Sequence, residues 1–247
     1  MLPEILEDIK VKLDIRRNIK ARRTYWQYYH SGQLTLHQVW LMMLPSFLRP
    51  RELSWHTFPI MAMNQYRVDL IKDGDVVVDG GAFHGVFSIF VAEQRPRSTI
   101  YAFEPTPSTF KVLRAATKKY PNIKCFNYAL GNENKMTSIV EIRAGKGCAN
   151  YIGEGGTPIE MRTIDSFGIP MNFLKMDAEA SEGIILKGAA DTIKKHRPII
   201  AMSAYHKPGD RTELPEILNA IAPYDCALQD NGEEDFVCRP RGVRAHA

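Results

Sequence analysis

The sequence has no C-x-x-C pair, no G-x-G-x-x-G turn and no apolar run reaching the roughly 18 residues a membrane span needs. Its four cysteines (Cys125, Cys148, Cys226, Cys238) are scattered, which excludes a zinc-finger spacing and predicts no disulfide framework. A reduced, cytoplasmic setting follows as the default expectation. No N-P-P-Y block for a flipped base is present, and the basic residues are not interleaved with an aromatic stripe, so no nucleic-acid partner is expected. Internal repeats and low-complexity tracts are also absent. Glu4, Glu7 and Asp8 stand where a signal peptide would carry its apolar core. The net charge is only +4, with much of the excess at residues 10–23 and 239–244, and reads as solvated surface.

A chain of 247 residues suits one α/β domain with an appendage. Residues 1–65 form the appendage. Leu2, Ile5, Leu6, Ile9 and Leu13 repeat at helical spacing, with two further helices expected at about 22–29 and 36–44 before Pro45, Pro50 and Pro59. The segment is rich in Trp, Tyr and Met and is expected to be a helical cap or lid. Its apolar content fits either a partly apolar substrate or a homodimer contact through these helices.

From residue 66 to the end the pattern changes. Apolar strand-like runs at 76–79, 99–103, 123–128, 173–176 and 198–204 alternate with helical runs at 85–93, 107–116, 181–196 and 212–221. Residues 136–143 alternate like an exposed strand, 144–157 read as a glycine-rich loop, and 224–229 with 236–238 suit a terminal antiparallel pair. The fold class predicted is α/β, a doubly wound, mostly parallel sheet with an N-terminal helical extension. In such sheets a ligand sits at the C-terminal ends of the strands.

Chemistry-bearing residues fall at those ends. Residues 76–85 read VVVDGGAFHG, a buried strand running through a glycine turn into a helix. Small residues there let the backbone approach a ligand, and the helix N-terminus offers free N–H groups. Phe83 occupies a position where a left-handed backbone would cost a non-glycine residue energy. Glu104, before Pro105, ends the next strand, where an acid accepts both hydroxyls of a ribose. Asp177 and Glu179 follow the fourth strand. Such a pair can face a cationic centre, orient a hydroxyl, hold a metal or cap the next helix. No clear third ligand is evident, so no metal is expected. His206 follows the fifth strand and has the chemistry of a base near neutral pH.

The spacing Asp79-x-Gly81-x-x-x-Gly85 resembles motif I of class I S-adenosylmethionine (SAM) methyltransferases. The ordered set VVVDGGAFHGVFSIF, YAFEPTPSTF, NYALGN, TIDSF, FLKMDAEASEGIILKGA and RPIIAMSAYHK, spanning about residues 70–230, resembles the FkbM-type methyltransferases. That resemblance implies SAM as cofactor and a hydroxyl of a sugar or small natural product as acceptor. It implies that Asp79, Gly81, Ala82, Phe83, His84 and Gly85 cradle the methionine end. Glu104 and Pro105 would lie at the ribose, and Ala129 and Leu130 at the adenine. Asp177 would lie near the cofactor's amino-acid end or the acceptor. With it go catalytic expectations for His206 as base and Asp177 or Glu179 as acceptor-orienting acids. The family block D-V-E-G-A-E reads Asp177-Ala178-Glu179-Ala180-Ser181-Glu182 here, with Ala180 in place of a permissive glycine. Two other readings stand beside it: a non-catalytic SAM-binding protein, and a nicotinamide-dependent oxidoreductase, against which the missing G-x-G-x-x-G speaks.

Overall fold

The computed structural model describes residues 60, 64–141, 150–230 and 234–242. The chain divides into two units, residues 1–63 and 64–247. The three helices expected in the N-terminal segment, and nearly all of the expected cap, lie outside the described residues.

The second unit is built on a seven-stranded sheet. Its parallel strands are β1 (Val76–Gly80), β2 (Thr99–Phe103), β3 (Ile123–Phe126), β8 (Phe173–Met176) and β9 (Ile199–Ser203). The hairpin of β10 (Tyr224–Asp230) and β11 (Glu234–Pro240) extends it, in the order β10-β11-β9-β8-β1-β2-β3 with β11 antiparallel to its neighbours. Chain order reverses between β1 and β8, whose C-terminal ends therefore flank the natural ligand crevice.

Strands buried on both faces read as continuous apolar runs. In β8 all four residues are buried, and Leu174 and Met176 have no exposed surface. Burying each such side chain contributes about 1.5–3 kcal/mol. Helices α1 (Val86–Gln94), α2 (Pro107–Thr117), α3 (Glu182–Lys187), α4 (Ala190–His196) and α5 (Asp210–Ile221) complete the alternation.

Three expectations need correction. The helix expected over 181–196 is two helices. They part at Gly188, where an added Cβ would fall 1.8 Å from the Gly131 carbonyl oxygen. The loop expected over 144–157 gives way at its end to β7 (Thr157–Arg162), after the short β6 (Tyr151–Ile152). β7 pairs with β4 (Ala129–Leu130) and with β5 (Lys135–Val140) in a second, four-stranded sheet. Ile159 and Met161 alternate inward there, a period too short to stand out beside Pro158 and the glycines. Third, Cys226 and Cys238 form a disulfide. They lie directly opposite in the β10–β11 register, which sequence spacing does not reveal. The cysteine argument for a reducing compartment is thereby lost.

Candidate active site

The glycine turn follows β1. Gly81 has φ +75°, and a Cβ on it would sit 1.9 Å from the Asp177 carbonyl oxygen, so only glycine fits. The Gly81 and Ala82 N–H groups both donate to the Phe103 carbonyl, at 3.1 and 2.9 Å. Phe83 does adopt the left-handed region, at φ 50°. Such a residue costs on the order of 1–3 kcal/mol and persists only where its surroundings fix it. Here the Phe83 N–H donates to Glu104 Oε2 at 3.0 Å, and its ring stacks on His84. Gly85, at φ +85°, opens α1.

Asp79 lies beneath this turn rather than in it. Its carboxylate is fully buried, 3.0 Å from Lys175 Nζ, and accepts a 2.6 Å hydrogen bond from Ser88 Oγ. Lys175, its register partner on β8, also donates to the Gly81 carbonyl at 2.8 Å. Burial alone would lower the Lys175 pKa. The charges of Asp79 and then Asp177 outweigh burial and hold the ammonium above its ordinary value. The ion pair thus fixes the turn from below.

Glu104 is buried at the end of β2. Its Oε1 accepts the Thr106 N–H at 2.9 Å and its Oε2 the Phe83 N–H. Burial pushes its carboxyl up to about 7, against the pull of the Thr106 and Phe83 hydrogen bonds. Pro105 is half-buried beside it, its carbonyl accepting from Asn127 Nδ2. Ala129 and Leu130 pack their side chains into two hydrophobic clusters, Ala129 against the second sheet and Leu130 in the main core.

On the other side of the turn, Asp177 directly follows β8. Glu179 and Ala180 both take left-handed φ values, 48° and 71°. This is the conformation glycine would favour at position 180. α3 then begins with Glu182, whose side chain is 1% exposed. Glu182 Oε1 accepts the Ala178 N–H at 2.8 Å and lies 3.0 Å from His206 Nδ1, while its buried Oε2 meets no hydrogen-bond donor among the described residues. His206, 8% exposed, turns its other nitrogen toward Asp177 Oδ1 at 3.4 Å and Glu179 Oε2 at 3.8 Å. Burial by itself would lower the imidazole pKa. The hydrogen bond and charge of Glu182, then the charges of Asp177 and Glu179, raise it to about 9.

Asp177, Glu179 and His206 are therefore brought together as expected. Two residues of this cluster escaped sequence reasoning. Glu182 was legible as the last acid of the D-A-E-A-S-E block, but its first-turn position reads equally as helix-dipole complementarity. Tyr66, whose hydroxyl donates to Asp177 Oδ2 at 2.9 Å, precedes every motif. One ligand atom each from Asp177, Glu182 and His206 lies within 4.8 Å of the others, a spacing a metal ion can use. The two ring nitrogens face different carboxylates, however, and the imidazolium, with an N–H on each nitrogen, already serves both.

A glycine turn flanked by a buried acid at the next strand end, at the crevice of a doubly wound sheet, defines a nucleotide-type cofactor site of the class I methyltransferase kind. Residues 79–232, more than half the chain, match the model of the methyltransferase FkbM domain, and the chain belongs to that family. It is 23% identical over 156 residues to methyltransferase 1 of Beauveria bassiana, covering 51% of this chain and 63% of that protein. Over 45 residues it is 47% identical to 31-O-demethyl-FK506 methyltransferase FkbM of Streptomyces tacrolimicus, covering 18% of this chain and 17% of that protein. The matches thus span less than two thirds of either relative. The crystal structure of methyltransferase FkbM from Methylobacillus flagellatus superposes with a TM-score of 0.57 at 22% identity, over 91% of this chain and 60% of that one, and shows the same fold.

SAM is the cofactor of this family, and the residues present fit it. Glu104 is a desolvated acid with two acceptor oxygens, and its bond to the Phe83 N–H ties it to the glycine turn at the same strand ends. Among the described residues no helix is long and apolar enough to cross a membrane.

Proposed function

We propose that this protein is a SAM-dependent O-methyltransferase acting on a hydroxyl of a sugar or small natural product. The observation that carries the reading is His206 held between Glu182 and Asp177, whose own backbone carbonyl abuts Gly81 of the glycine turn. The name of the Streptomyces tacrolimicus relative, which acts on an O-demethyl compound, supports oxygen as the accepting atom. SAM would be held by residues 81–85, Glu104, Pro105, Ala129 and Leu130, and supplies an electrophilic methyl group.

The chain's own residues then have two tasks, alignment and proton removal. Glu182 orients His206 through Nδ1, which leaves Nε2 on the side of Asp177 and Glu179. His206 Nε2, once deprotonated, takes the acceptor's hydroxyl proton. Asp177 and Glu179, both partly exposed, accept hydrogen bonds from the acceptor and fix its attacking oxygen. This chemistry calls for no metal, and dialysis against a chelator should leave turnover unchanged. The partner is a small molecule, not a nucleic acid. A homodimer contact through residues 1–65 belongs to the same proposal.

The test is formation of S-adenosylhomocysteine with a panel of glycosides and polyketide alcohols, with the product analysed for a new methoxy group. A methoxy product supports the reading; a new N- or C-methyl product overturns the oxygen assignment. Ala180 at φ 71° favours a second reading, SAM binding without turnover. Under that reading SAM binds and no acceptor releases S-adenosylhomocysteine.

A further inference from the structure

The segment before β1 is unusual. Asn64, Tyr66 and Arg67, none of them glycine, take φ values of 53°, 64° and 53° around the 3-10 turn Gln65–Leu70. Left-handed residues of this kind cluster where the surrounding structure over-determines them, often at functional sites. Local bonds hold this run in place. Arg67 forks onto both oxygens of Asp69 at 2.7 Å, and Asn64 Nδ2 donates to Asp69 Oδ1 at 2.5 Å.

The product of that contortion is the placement of one side chain. Tyr66 is buried, with its ring edge-on to Phe87 and under the Lys175 ammonium, 5.3 Å from the ring centroid. Its hydroxyl donates to Asp177 Oδ2 at 2.9 Å. Burial first, and the Asp177 charge second, hold the phenol protonated well above its ordinary range, so it stays a donor at any working pH. Among the described residues, Asp177 has no comparably short partner on its other oxygen. His206 Nε2 and Tyr205 Oη both stand 3.4 Å from Oδ1.

We propose that Tyr66 is the positioning residue of the active site. It locks Asp177 through Oδ2 and so aims Oδ1 at His206 and the acceptor hydroxyl. Residues 64–70, which lie ahead of the family-matched region, are then part of the catalytic apparatus. A donor to one carboxylate oxygen drains charge from the other, so the hydroxyl also tempers how strongly Asp177 holds the His206 proton. The charged groups facing His206 are Asp177, Glu179 and Glu182. The kinetic part of this inference rests on the proposed methyl transfer; the electrostatic part does not.

The experiment is Tyr66→Phe on the full chain, which keeps the ring packing and removes only the hydroxyl. Two readouts are taken. In the first, the His206 titration is followed by NMR with 15N-labelled histidine, and its midpoint should move upward. In the second, kcat should fall by about tenfold or more while KM for SAM stays within about twofold. Repeated in an Asp177→Asn background, the same substitution should cost less than about twofold, because its route through Asp177 is gone. An unmoved His206 midpoint, or an equal kcat loss in both backgrounds, overturns the inference. If the wild type methylates no acceptor yet the midpoint moves, the proposed reaction falls and the positioning stands.

Discussion

The α-carbon of Gly81 is packed so closely on Asp177 that a Cβ would lie 1.9 Å from the Asp177 carbonyl oxygen. This contact joins the cofactor turn to the acidic loop, and Asp177 N–H closes it from the other side by donating to the Gly80 carbonyl at 3.0 Å. Gly81→Ala must therefore push the two strand ends apart as well as strain the backbone. The expected result is a loss of at least about 2 kcal/mol of stability together with lost SAM binding. Denaturant unfolding and calorimetric titration check both.

Lys175 and Asp79 form an ion pair that is buried on both sides. Removing one partner of such a pair typically costs about 3–5 kcal/mol, because the other is left charged and unsolvated. Lys175→Met should lose about that much in urea unfolding. The double variant Lys175→Met with Asp79→Leu should recover most of it. Failure to recover would mean that the Lys175 bond to the Gly81 carbonyl, not the ion pair, is the main contribution.

His206 is raised to about 9, so at neutral pH it carries a proton that a base must first lose. Turnover should rise with pH and level off above about 9. Its folded pKa exceeds the ordinary 6.5, so its contribution to stability is complete below about 6.5 and disappears as pH rises through about 9. Glu182→Gln removes the neighbouring charge and should move both midpoints to lower pH. A profile unchanged by Glu182→Gln would separate His206 from the observed titration.

Glu104 behaves in the opposite functional sense to a salt-bridged carboxylate. Burial raises it to about 7, so the free protein is about half protonated at neutral pH. A carboxylate is the form that accepts two ribose hydroxyls, so SAM affinity should climb between pH 6 and 8 and then level. Stability of the unliganded protein should fall as pH rises from about 4.5 to 7, because the folded state binds the extra proton there. Glu104→Gln should weaken SAM binding and flatten its pH dependence, measured by calorimetric titration.

The fold was legible wherever hydrophobic period and breaker residues agree. Residues 76–79, 99–103 and 173–176 are mostly apolar runs, interrupted by Asp79 and Lys175, and each is a largely buried parallel strand. The end of the loop at 144–157 and the helix at 181–196 were misjudged because their limits are tertiary. β7 exists by pairing with β5, and the break at Gly188 exists because Gly131 crosses there. At the site, Asp177, Glu179 and His206 were visible because strand ends expose function in an α/β sheet. Tyr66 was not, since a left-handed run of non-glycine residues leaves no compositional trace. The buried position of Asp79 was likewise hidden, because only the register reveals Lys175 opposite it.

His206, clamped by Glu182 and Asp177, is proposed to remove the proton of the acceptor. Single-turnover release of S-adenosylhomocysteine by the wild type and by His206→Ala, at saturating SAM and the best acceptor, decides this. His206→Ala should lose at least about a hundredfold in rate with SAM affinity nearly unchanged. A loss below about tenfold would contradict it and move the base elsewhere.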